Sequence, residues 1–340
     1  MKKFYKTTAI IIFLIIVAVV FSFKKDISIK DLISTTLVTC SHESGRNRNI
    51  LCLKKHLEGS VIKYGIGPFV EVVGNMFVEG DSNLTSATQC HDVLHAIGEV
   101  GGANSKDVNK TISQCSAVCT YGCFHGVIEG YLMKGADIAQ EIPQLCQIEG
   151  NDNGNFKSAC YHGLGHGVAS VVGFDFSNAL DKCDLIPEER YKIDCGSGVI
   201  MELYEPGSFN HAQLEWPADI PKFCNSLKYP YSKVCHTTAG LHEYGRSQSP
   251  QKAFRACESV PKDLSRECNI SIGRNFYYVF QGSSSKIIEA CKNKNETVFL
   301  SCVQGGISSS LAVDSQSQKG YEICGKLDNK FKNKCLEFLK

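Results

Sequence analysis

The cysteines of this chain are spaced so regularly that they predict its architecture. Of its 340 residues 18 are cysteines, and the last four pairs, each enclosing ten residues, repeat at steps of 33, 34 and 33. Three earlier pairs follow the same plan with slightly longer loops. A period in the mid-thirties is typical of helical-hairpin repeats. The seven pairs are Cys40 with Cys52, Cys146 with Cys160, Cys183 with Cys195, Cys224 with Cys235, Cys257 with Cys268, Cys291 with Cys302 and Cys324 with Cys335.

Apolar residues flank these pairs at helical spacing. They precede the first cysteine by three and four positions and the second by four, which predicts a helix A ending at the first cysteine and a helix B starting at the second. A disulfide across the connection would staple the two helices and contribute about 2–4 kcal/mol. The flanking residues are Ala179, Leu180, Ala253, Phe254, Ile287, Ile288, Gly320 and Tyr321 before a first cysteine, and Phe156, Tyr191, Tyr231, Leu264, Val298 and Phe331 before a second.

Four cysteines, Cys90, Cys115, Cys119 and Cys123, stand outside the regular pairs. Cys115 and Cys123 fit a shortened pair, which leaves Cys90 to meet Cys119; this is one of three possible connectivities. The run CSAVCTYGC also offers thiols at i, i+4 and i+8, and these would suit a metal or cluster site. Export and an even number of cysteines favour disulfides over that alternative.

The N-terminus predicts that the chain is exported. Residues 7–23 form one apolar run with three lysines before it and two after it. This pattern predicts a short cytoplasmic end at 1–6, a transmembrane signal anchor at 7–23, a stalk at 24–31 and a repeat array at 32–340 outside the cytoplasm. A cleaved signal peptide is the alternative, and it would make the same array a secreted protein.

The repeat unit resembles the disulfide-stapled Sel1-like proteins, a TPR-like helical repeat family. The resemblance rests on one cysteine in each arm of a hairpin, with glycine within a few residues of the second, and it covers residues 40 to 340. The pair of Cys115 and Cys123 has the shorter spacing of that family. The resemblance implies an extracytoplasmic interaction role rather than catalysis, and it supplies no site residues.

Together these patterns predict an all-α protein, an α-solenoid of seven or eight disulfide-stapled hairpins of about 33–41 residues each, behind a transmembrane helix. The 36 basic residues balance 35 acidic ones, so no nucleic-acid partner is expected. A content of 43% hydrophobic residues excludes wholesale disorder. Four Asn-x-Ser/Thr motifs would accept glycans in a host that glycosylates, at Asn83, Asn109, Asn269 and Asn295.

Histidine is concentrated in one part of this array. Residues 90–245 are rich in histidine, whereas residues 246–340 contain none. Seven of the ten histidines lie within seven residues after a cysteine that opens a helix B. The later repeats carry other residues there, such as NISIGRNF after Cys268, so the repeat itself does not require histidine. A local function of the central repeats is therefore favoured.

The chemistry of these residues points to a metal. Pairs at i, i+4 stand on one helix face, and neighbouring helices pack about 8–10 Å apart, so side chains from several helices B would converge. Imidazole and carboxylate are ligands of Zn, Fe, Cu and Mn. Histidines at helix starts also often only cap a backbone carbonyl or pack on an aromatic ring. The candidate ligands are His91, His95, His125, Glu129, His162, His166 and His242, and Glu129 and Glu202 are the candidate general bases.

The glycines of the HGLGHG run at 162–167 leave the local structure open. Glycine inside a helix costs about 0.5–1 kcal/mol relative to alanine. Either this segment is a helix that approaches a neighbour or a ligand closely, or it is a loop, and a loop would remove the i, i+4 argument for His162 and His166.

Two classes of function follow. In the first, the array binds a protein, peptide or glycan partner, and a divalent metal is structural or cargo; a scaffold without metal is a variant of this class. In the second, the same cluster makes a metal-dependent hydrolase or oxidoreductase. Metal-linked binding is favoured, because no Gly-x-Ser-x-Gly or His-Glu-x-x-His motif marks a catalytic centre.

Overall fold

The computed structural model describes residues 28–43, 46–84, 87–116, 118–135, 137–147, 154–202, 217, 219–293, 295–313 and 318–339. The predicted cytoplasmic end, the anchor at 7–23 and the first half of the stalk, residues 24–27, lie outside these ranges. Within them, no helix is both long and apolar enough to cross a membrane. The described part of the stalk is already helical from Ile29, with Ser28 capping the amide of Asp31.

The described residues form helices and no strands, as the cysteine pattern predicts. The odd-numbered helices are α1 (Ile29–Cys40), α3 (Gly67–Glu79), α5 (Val108–Ile112), α7 (Ile138–Glu141), α9 (Phe176–Cys183), α11 (Ile220–Ser226), α13 (Pro250–Glu258), α15 (Ser284–Cys291) and α17 (Gln318–Gly325). The even-numbered helices are α2 (Arg46–Tyr64), α4 (Ala87–Ala103), α6 (Gly122–Leu132), α8 (Gly154–Val171), α10 (Glu189–Glu202), α12 (Tyr231–Ser247), α14 (Ser265–Val279), α16 (Glu296–Val313) and α18 (Asn329–Glu337). A short 3-10 helix at Val118–Tyr121 precedes α6.

These helices alternate between the two arms of successive pairs. The odd-numbered helices correspond to the predicted helix A and the even-numbered ones to helix B, and each even-numbered helix packs against the next from α2 to α18. The described part contains nine such pairs: eight are closed by a disulfide, within the predicted seven or eight, and α3 with α4 forms a further pair that no disulfide closes.

Nine disulfides join all eighteen cysteines, so no thiol is free. The CSAVCTYGC run is therefore used for disulfides and not for a metal cluster. The seven regular bonds join Cys40 to Cys52, Cys146 to Cys160, Cys183 to Cys195, Cys224 to Cys235, Cys257 to Cys268, Cys291 to Cys302 and Cys324 to Cys335.

Two further bonds join the remaining four cysteines in the predicted connectivity. Cys115 is joined to Cys123, and Cys90 is joined to Cys119. The second bond differs from all the others, because it ties α4 to the segment before α6 rather than closing one pair.

The predicted start of helix B at the second cysteine is wrong. In each regular pair the second cysteine lies inside the even-numbered helix, three to six residues after its first residue. The helix starts earlier because, in most pairs, the apolar residue four positions before the cysteine packs on the core and is already part of the same helix. The cysteines that lie inside their helices in this way are Cys52, Cys160, Cys195, Cys235, Cys268, Cys302 and Cys335.

Two other details differ from the sequence-based expectation. Tyr321 is 57% exposed, so it does not join the apolar stripe before Cys324. Asn269 is buried in α14 and cannot accept a glycan in the folded chain, whereas Asn295 is exposed.

The HGLGHG run is helical, and its glycines serve close packing. A Cβ atom on Gly165 in α8 would lie 2.0 Å from the carbonyl oxygen of Cys195 in α10. A Cβ atom on Gly198 in α10 would lie 2.1 Å from the carbonyl oxygen of His162. The two backbones are therefore in direct contact, a distance that only glycine permits. The loop alternative is wrong, and the i, i+4 relation of His162 and His166 holds.

Candidate metal centre

Three consecutive even-numbered helices supply the histidines of the central repeats. α4 carries His91 and His95, α6 carries His125 and Glu129, and α8 carries His162 and His166. Each pair lies on one face of its helix, one turn apart. Since α4 packs on α6 and α6 packs on α8, these faces meet inside the molecule.

Three histidines form a compact donor group between α6 and α8. His125, His162 and His166 each offer a ring nitrogen, and these nitrogens all lie within 4.8 Å of one another. The Nε2 atoms of His162 and His166 are 3.1 Å apart. The ring centre of His125 lies 5.3 Å from that of His162 and 4.5 Å from that of His166. The sequence-based ligand set thus contains one group that is close enough to share a single ion.

A carboxylate from α10 orients one of these rings. Nδ1 of His166 contacts Oε1 of Glu202, and both side chains are buried. A metal-binding histidine usually donates its other ring N–H to a carboxylate or carbonyl, and this fixes the tautomer and leaves the second nitrogen for the metal. Glu202 is therefore placed to orient the ring of His166, and its role as a general base stays a prediction.

Burial lowers the pKa of two of these rings. Burial, reinforced by His166 and the other neighbouring histidines, holds the pKa of His125 well below its ordinary value. Burial, again reinforced by His166, lowers the pKa of His162 to about 3. Neutral imidazole is the form that binds metals. Nε2 of His125 is buried and has no hydrogen-bond partner.

His95 and Glu129, both predicted ligands, form a separate pair one turn along the same helices. Nε2 of His95 lies 3.1 Å from Oε2 of Glu129, and both are almost fully buried. Ser170 of α8 donates a hydrogen bond to the other oxygen of Glu129 at 3.2 Å. Glu129 is thus held by two neighbouring helices, and it does not join the three-histidine group.

Two further residues extend this buried polar line, and the sequence analysis missed them. Glu99 of α4 is buried and pairs with Lys54 of α2. The available signal was the position of Glu99, four residues after His95 on the same helix face. Each interface from α2 to α10 therefore contains at least one buried ionisable side chain: Glu99, His95, Glu129, His125, His166 and Glu202.

The remaining predicted residues lie elsewhere. His91 adjoins the three-histidine group, with its ring centre 5.1 Å from that of His125. His242 is buried in α12, where burial holds its pKa well below the ordinary value, and it is not a member of the group. His56 lies beside Cys40 and Cys52, but that disulfide offers no thiolate to a metal.

The chain matches no protein-family model, no curated protein and no solved structure. The resemblance to Sel1-like proteins therefore stays a prediction, and the function has to be argued from the chemistry of the histidine cluster.

Proposed function

We propose that this protein is an extracytoplasmic, membrane-anchored α-solenoid that binds one divalent transition metal through His125, His162 and His166. The observation that carries the proposal is the donor group itself: three imidazoles, with nitrogens within 4.8 Å of one another, at the interface of two helices. An unpartnered buried nitrogen costs about 1–3 kcal/mol, and a metal at His125 would offset that cost.

The pattern of burial supports a metal more than a structural histidine cluster. His162 and His166 contact each other through their Nε2 atoms, whereas the buried Nε2 of His125 has no hydrogen-bond partner. The later repeats do not keep histidine at the corresponding positions, two and six residues after the cysteine, where they carry Ile270 and Arg274 or Gln304 and Ser308, so the repeat itself does not require histidine here. The cost of retaining histidine in the core is therefore balanced by a ligand.

Export and the solenoid arrangement are part of the same proposal. Nine disulfides suit an oxidising compartment, and the apolar run at 7–23 is the segment that would anchor the chain. The sequential packing of the even-numbered helices supports a solenoid, in which each repeat contacts chiefly its neighbours.

The metal is one that accepts imidazole nitrogen. Zn, Cu and Fe meet this condition, whereas Mn prefers carboxylate and water. A cargo or structural role follows most directly, because Glu129 and Glu202 are both engaged by histidines, and neither is placed as a general base.

The test is metal content in matched variants of the full chain. The protein would be purified oxidised, equilibrated with each metal in turn, desalted and analysed by mass spectrometry of the elements. We expect one equivalent of bound metal, lost in the double variant His162→Ala/His166→Ala. The matched control is His42→Ala/His56→Ala, which removes two exposed histidines and should keep the metal. Substoichiometric metal in the wild type, or full metal in the first variant, would contradict the proposal.

A metal-dependent enzyme is the second candidate, favoured by the number of ligands. Three protein ligands and a fourth position open to water are the usual arrangement of a catalytic zinc. The activity would be a hydrolysis by metal-bound water, or a redox reaction with iron or copper. The two candidates differ in whether the fourth position accepts an external ligand.

A further inference from the structure

We infer that the outward face of α2, formed by Arg48, Leu51, Lys55, Gly59 and Ile62, lies on an anionic lipid surface and docks the first helix pair against the membrane. This inference rests on the membrane anchor of the proposed function, because the anchor brings the bilayer to this end of the chain. It gives a lipid partner to residues outside the predicted transmembrane segment.

Exposed apolar side chains are concentrated in the first two helix pairs. Of the ten large apolar side chains that are most exposed in the described part, five belong to these pairs, and one, Tyr321, belongs to the last pair. Single exposed apolar residues are ordinary, but the terminal unit of a repeat array usually presents a polar outer face. The concentration at one end therefore points to a partner there. The five are Val38, Leu51, Ile62, Tyr64 and Val78.

The outward face of α2 is one continuous stripe along the helix. Its five residues follow one another at steps of three, four, four and three, and all five are exposed. This is the spacing of a single helix face. Leu51 is 48% exposed and Ile62 54%, and a Cβ atom added to Gly59 would meet no heavy atom within 4 Å. The stripe is thus open along its length and both apolar and basic.

The charge of α2 indicates which kind of surface it fits. The whole chain has 36 basic and 35 acidic residues, yet α2 contains five basic residues and a single acidic one, Glu58. Lys54 pairs with a buried glutamate of α4, whereas Arg48, Lys55 and Lys63 are exposed. A helix face that combines basic and aliphatic side chains is typical of contact with an anionic membrane interface.

The position of the predicted anchor favours a membrane over a soluble acidic partner. The anchor ends at residue 23, and the described chain starts at Ser28. Five peptide steps separate the two, and these span at most about 18 Å. The chain continues directly into α1, which packs on α2. Because this tether gives the bilayer a high effective concentration at α2, even a weak contact would be occupied.

The experiment measures how close α2 lies to lipid in the full chain, reconstituted through its anchor into vesicles with brominated acyl chains. The chain contains one tryptophan, so Trp216→Phe provides a background in which an introduced tryptophan is the sole fluorescent reporter. Ile62→Trp places the reporter on the outward face of α2. Tyr321→Trp is the matched control at the far end of the array, since Tyr321 is 57% exposed and Ile62 54%.

The vesicles contain phosphatidylglycerol and phosphatidylcholine in equal parts. We expect the reporter at position 62 to be quenched at least about twofold more strongly than the reporter at position 321. Adding Arg48→Gln and Lys55→Gln should lower the ratio of docked to undocked arrays at least about tenfold, because each basic residue near an anionic surface contributes roughly a fivefold factor. The charge-matched control, Lys252→Gln with Lys262→Gln, removes two exposed lysines of a later pair and should leave the quenching unchanged.

The adverse outcomes separate the lipid contact from the anchor. Equal quenching at positions 62 and 321, or quenching that survives the loss of Arg48 and Lys55, overturns the lipid contact. A blue-shifted emission at position 62 that depends on protein density and not on lipid bromination also overturns it, and assigns the face to a second copy of the chain. In these cases a chain that resists extraction by alkaline carbonate leaves the proposed anchor standing. A chain that carbonate extracts refutes the anchor and the lipid contact together.

Discussion

His166 has two chemically different neighbours, and the contrast defines its role. On one side Nδ1 contacts the Glu202 carboxylate, and on the other Nε2 faces His162 at 3.1 Å. A carboxylate that accepts the N–H of a ligand histidine raises the basicity of that ligand and fixes its orientation. In the proposed metal site, a side chain that does not touch the ion would therefore set much of the metal affinity.

Glu202→Gln tests this positioning role. The amide keeps the size of the side chain but removes its charge, so we expect metal affinity to fall about 10–100-fold with one equivalent still bound at saturation. Competition against a chelator of known affinity measures the change. Glu243→Gln is the matched control, since Glu243 is a buried acid on α12 that pairs with Arg246 instead of a histidine. Equal affinities in the wild type and Glu202→Gln would remove the assigned role.

Asp184 gives a pH-dependent prediction away from the metal site. Burial alone would raise the pKa of this carboxyl, but hydrogen bonds from Lys228 and Tyr231 outweigh burial, and the pKa falls below 3.8. Tyr231 is fully buried and donates to Oδ1 of Asp184 at 2.7 Å. A carboxyl with a lowered folded-state pKa stabilises the fold above its unfolded pKa, and this stabilisation is lost as pH falls through the folded value.

Tyr231→Phe should accordingly reduce the free energy of unfolding by about 1 kcal/mol at pH 7. The difference from wild type should shrink in acid, as pH falls below the ordinary carboxyl pKa of 3.8 and through the lower folded-state pKa, because Asp184 then becomes protonated in both proteins. Denaturant unfolding at the two pH values, with disulfides intact, measures both quantities. Tyr229→Phe, at a residue that is 67% exposed, should change little. A loss that is the same at both pH values would show that packing, and not the Asp184 hydrogen bond, is responsible.

The i, i+4 pattern predicted which residues share a helix face but not which of them meet across helices. His125, His162 and His166 come together, whereas His95 pairs with Glu129 one turn further along. His125 meets residues of α8, whereas Glu129 meets His95 of α4 and Ser170 of α8. These meetings depend on how the helices pack against one another, which a one-dimensional spacing does not contain.

At the scale of elements, the cysteines predicted the helix pairs more accurately than the helix starts. α10 begins at Glu189, six residues before Cys195, because Tyr191 forms part of its buried face. The sequence already contained this information in the apolar residue four positions before each second cysteine. Glycine was harder to interpret, because a glycine-rich segment can be either a loop or a helix that packs closely on a neighbour. The sequence alone does not show whether such a neighbour exists.

Gly165→Ala tests the contact between α8 and α10. The added Cβ atom would lie 2.0 Å from the Cys195 carbonyl oxygen, and the backbone can relieve this only by separating the helices. We expect a loss of about 1–3 kcal/mol in the free energy of unfolding. Metal affinity should also fall, because the same contact sets the distance from His166 to Glu202.

The matched control is Gly59→Ala on α2, where an added Cβ atom meets no heavy atom within 4 Å. Alanine should stabilise this exposed helical position by up to about 1 kcal/mol. If Gly165→Ala lowers the free energy of unfolding and Gly59→Ala raises it, close packing is supported as the reason for Gly165. Stabilisation by both would mean that α8 and α10 tolerate a wider separation than the structure has.

For the whole molecule, stability depends on the contacts that each helix makes with its neighbours along the chain. Each even-numbered helix packs on its neighbours in the chain, and nearly every disulfide closes a short loop within one pair. A protein built this way gains stability locally, as a sum of units and their interfaces. Damage at one end should therefore leave the proposed metal centre between α6 and α8 intact.

Removal of two disulfides at different distances from the centre tests this locality. The double variant of Cys324→Ala and Cys335→Ala opens the last pair, with a sequence separation of 11. The double variant of Cys183→Ala and Cys195→Ala opens a pair with a separation of 12. Each should cost about 2–3 kcal/mol of local stability, because the loops are similar. Only the second should weaken metal binding, since it loosens α10, which carries Glu202 and contacts α8.

Hydrogen exchange locates the loss of stability, and chelator competition measures the affinity. In the variant that lacks Cys324 and Cys335, faster exchange should stay within α15 to α18, and metal affinity should remain within about twofold of the wild type, since the affected units do not touch the histidines. Faster exchange in α6 and α8, or a large fall in affinity, would show that the array unfolds as one cooperative unit. In that case the disulfides would act on the metal centre through the whole molecule, and the metal would in turn stabilise repeats that carry no histidine.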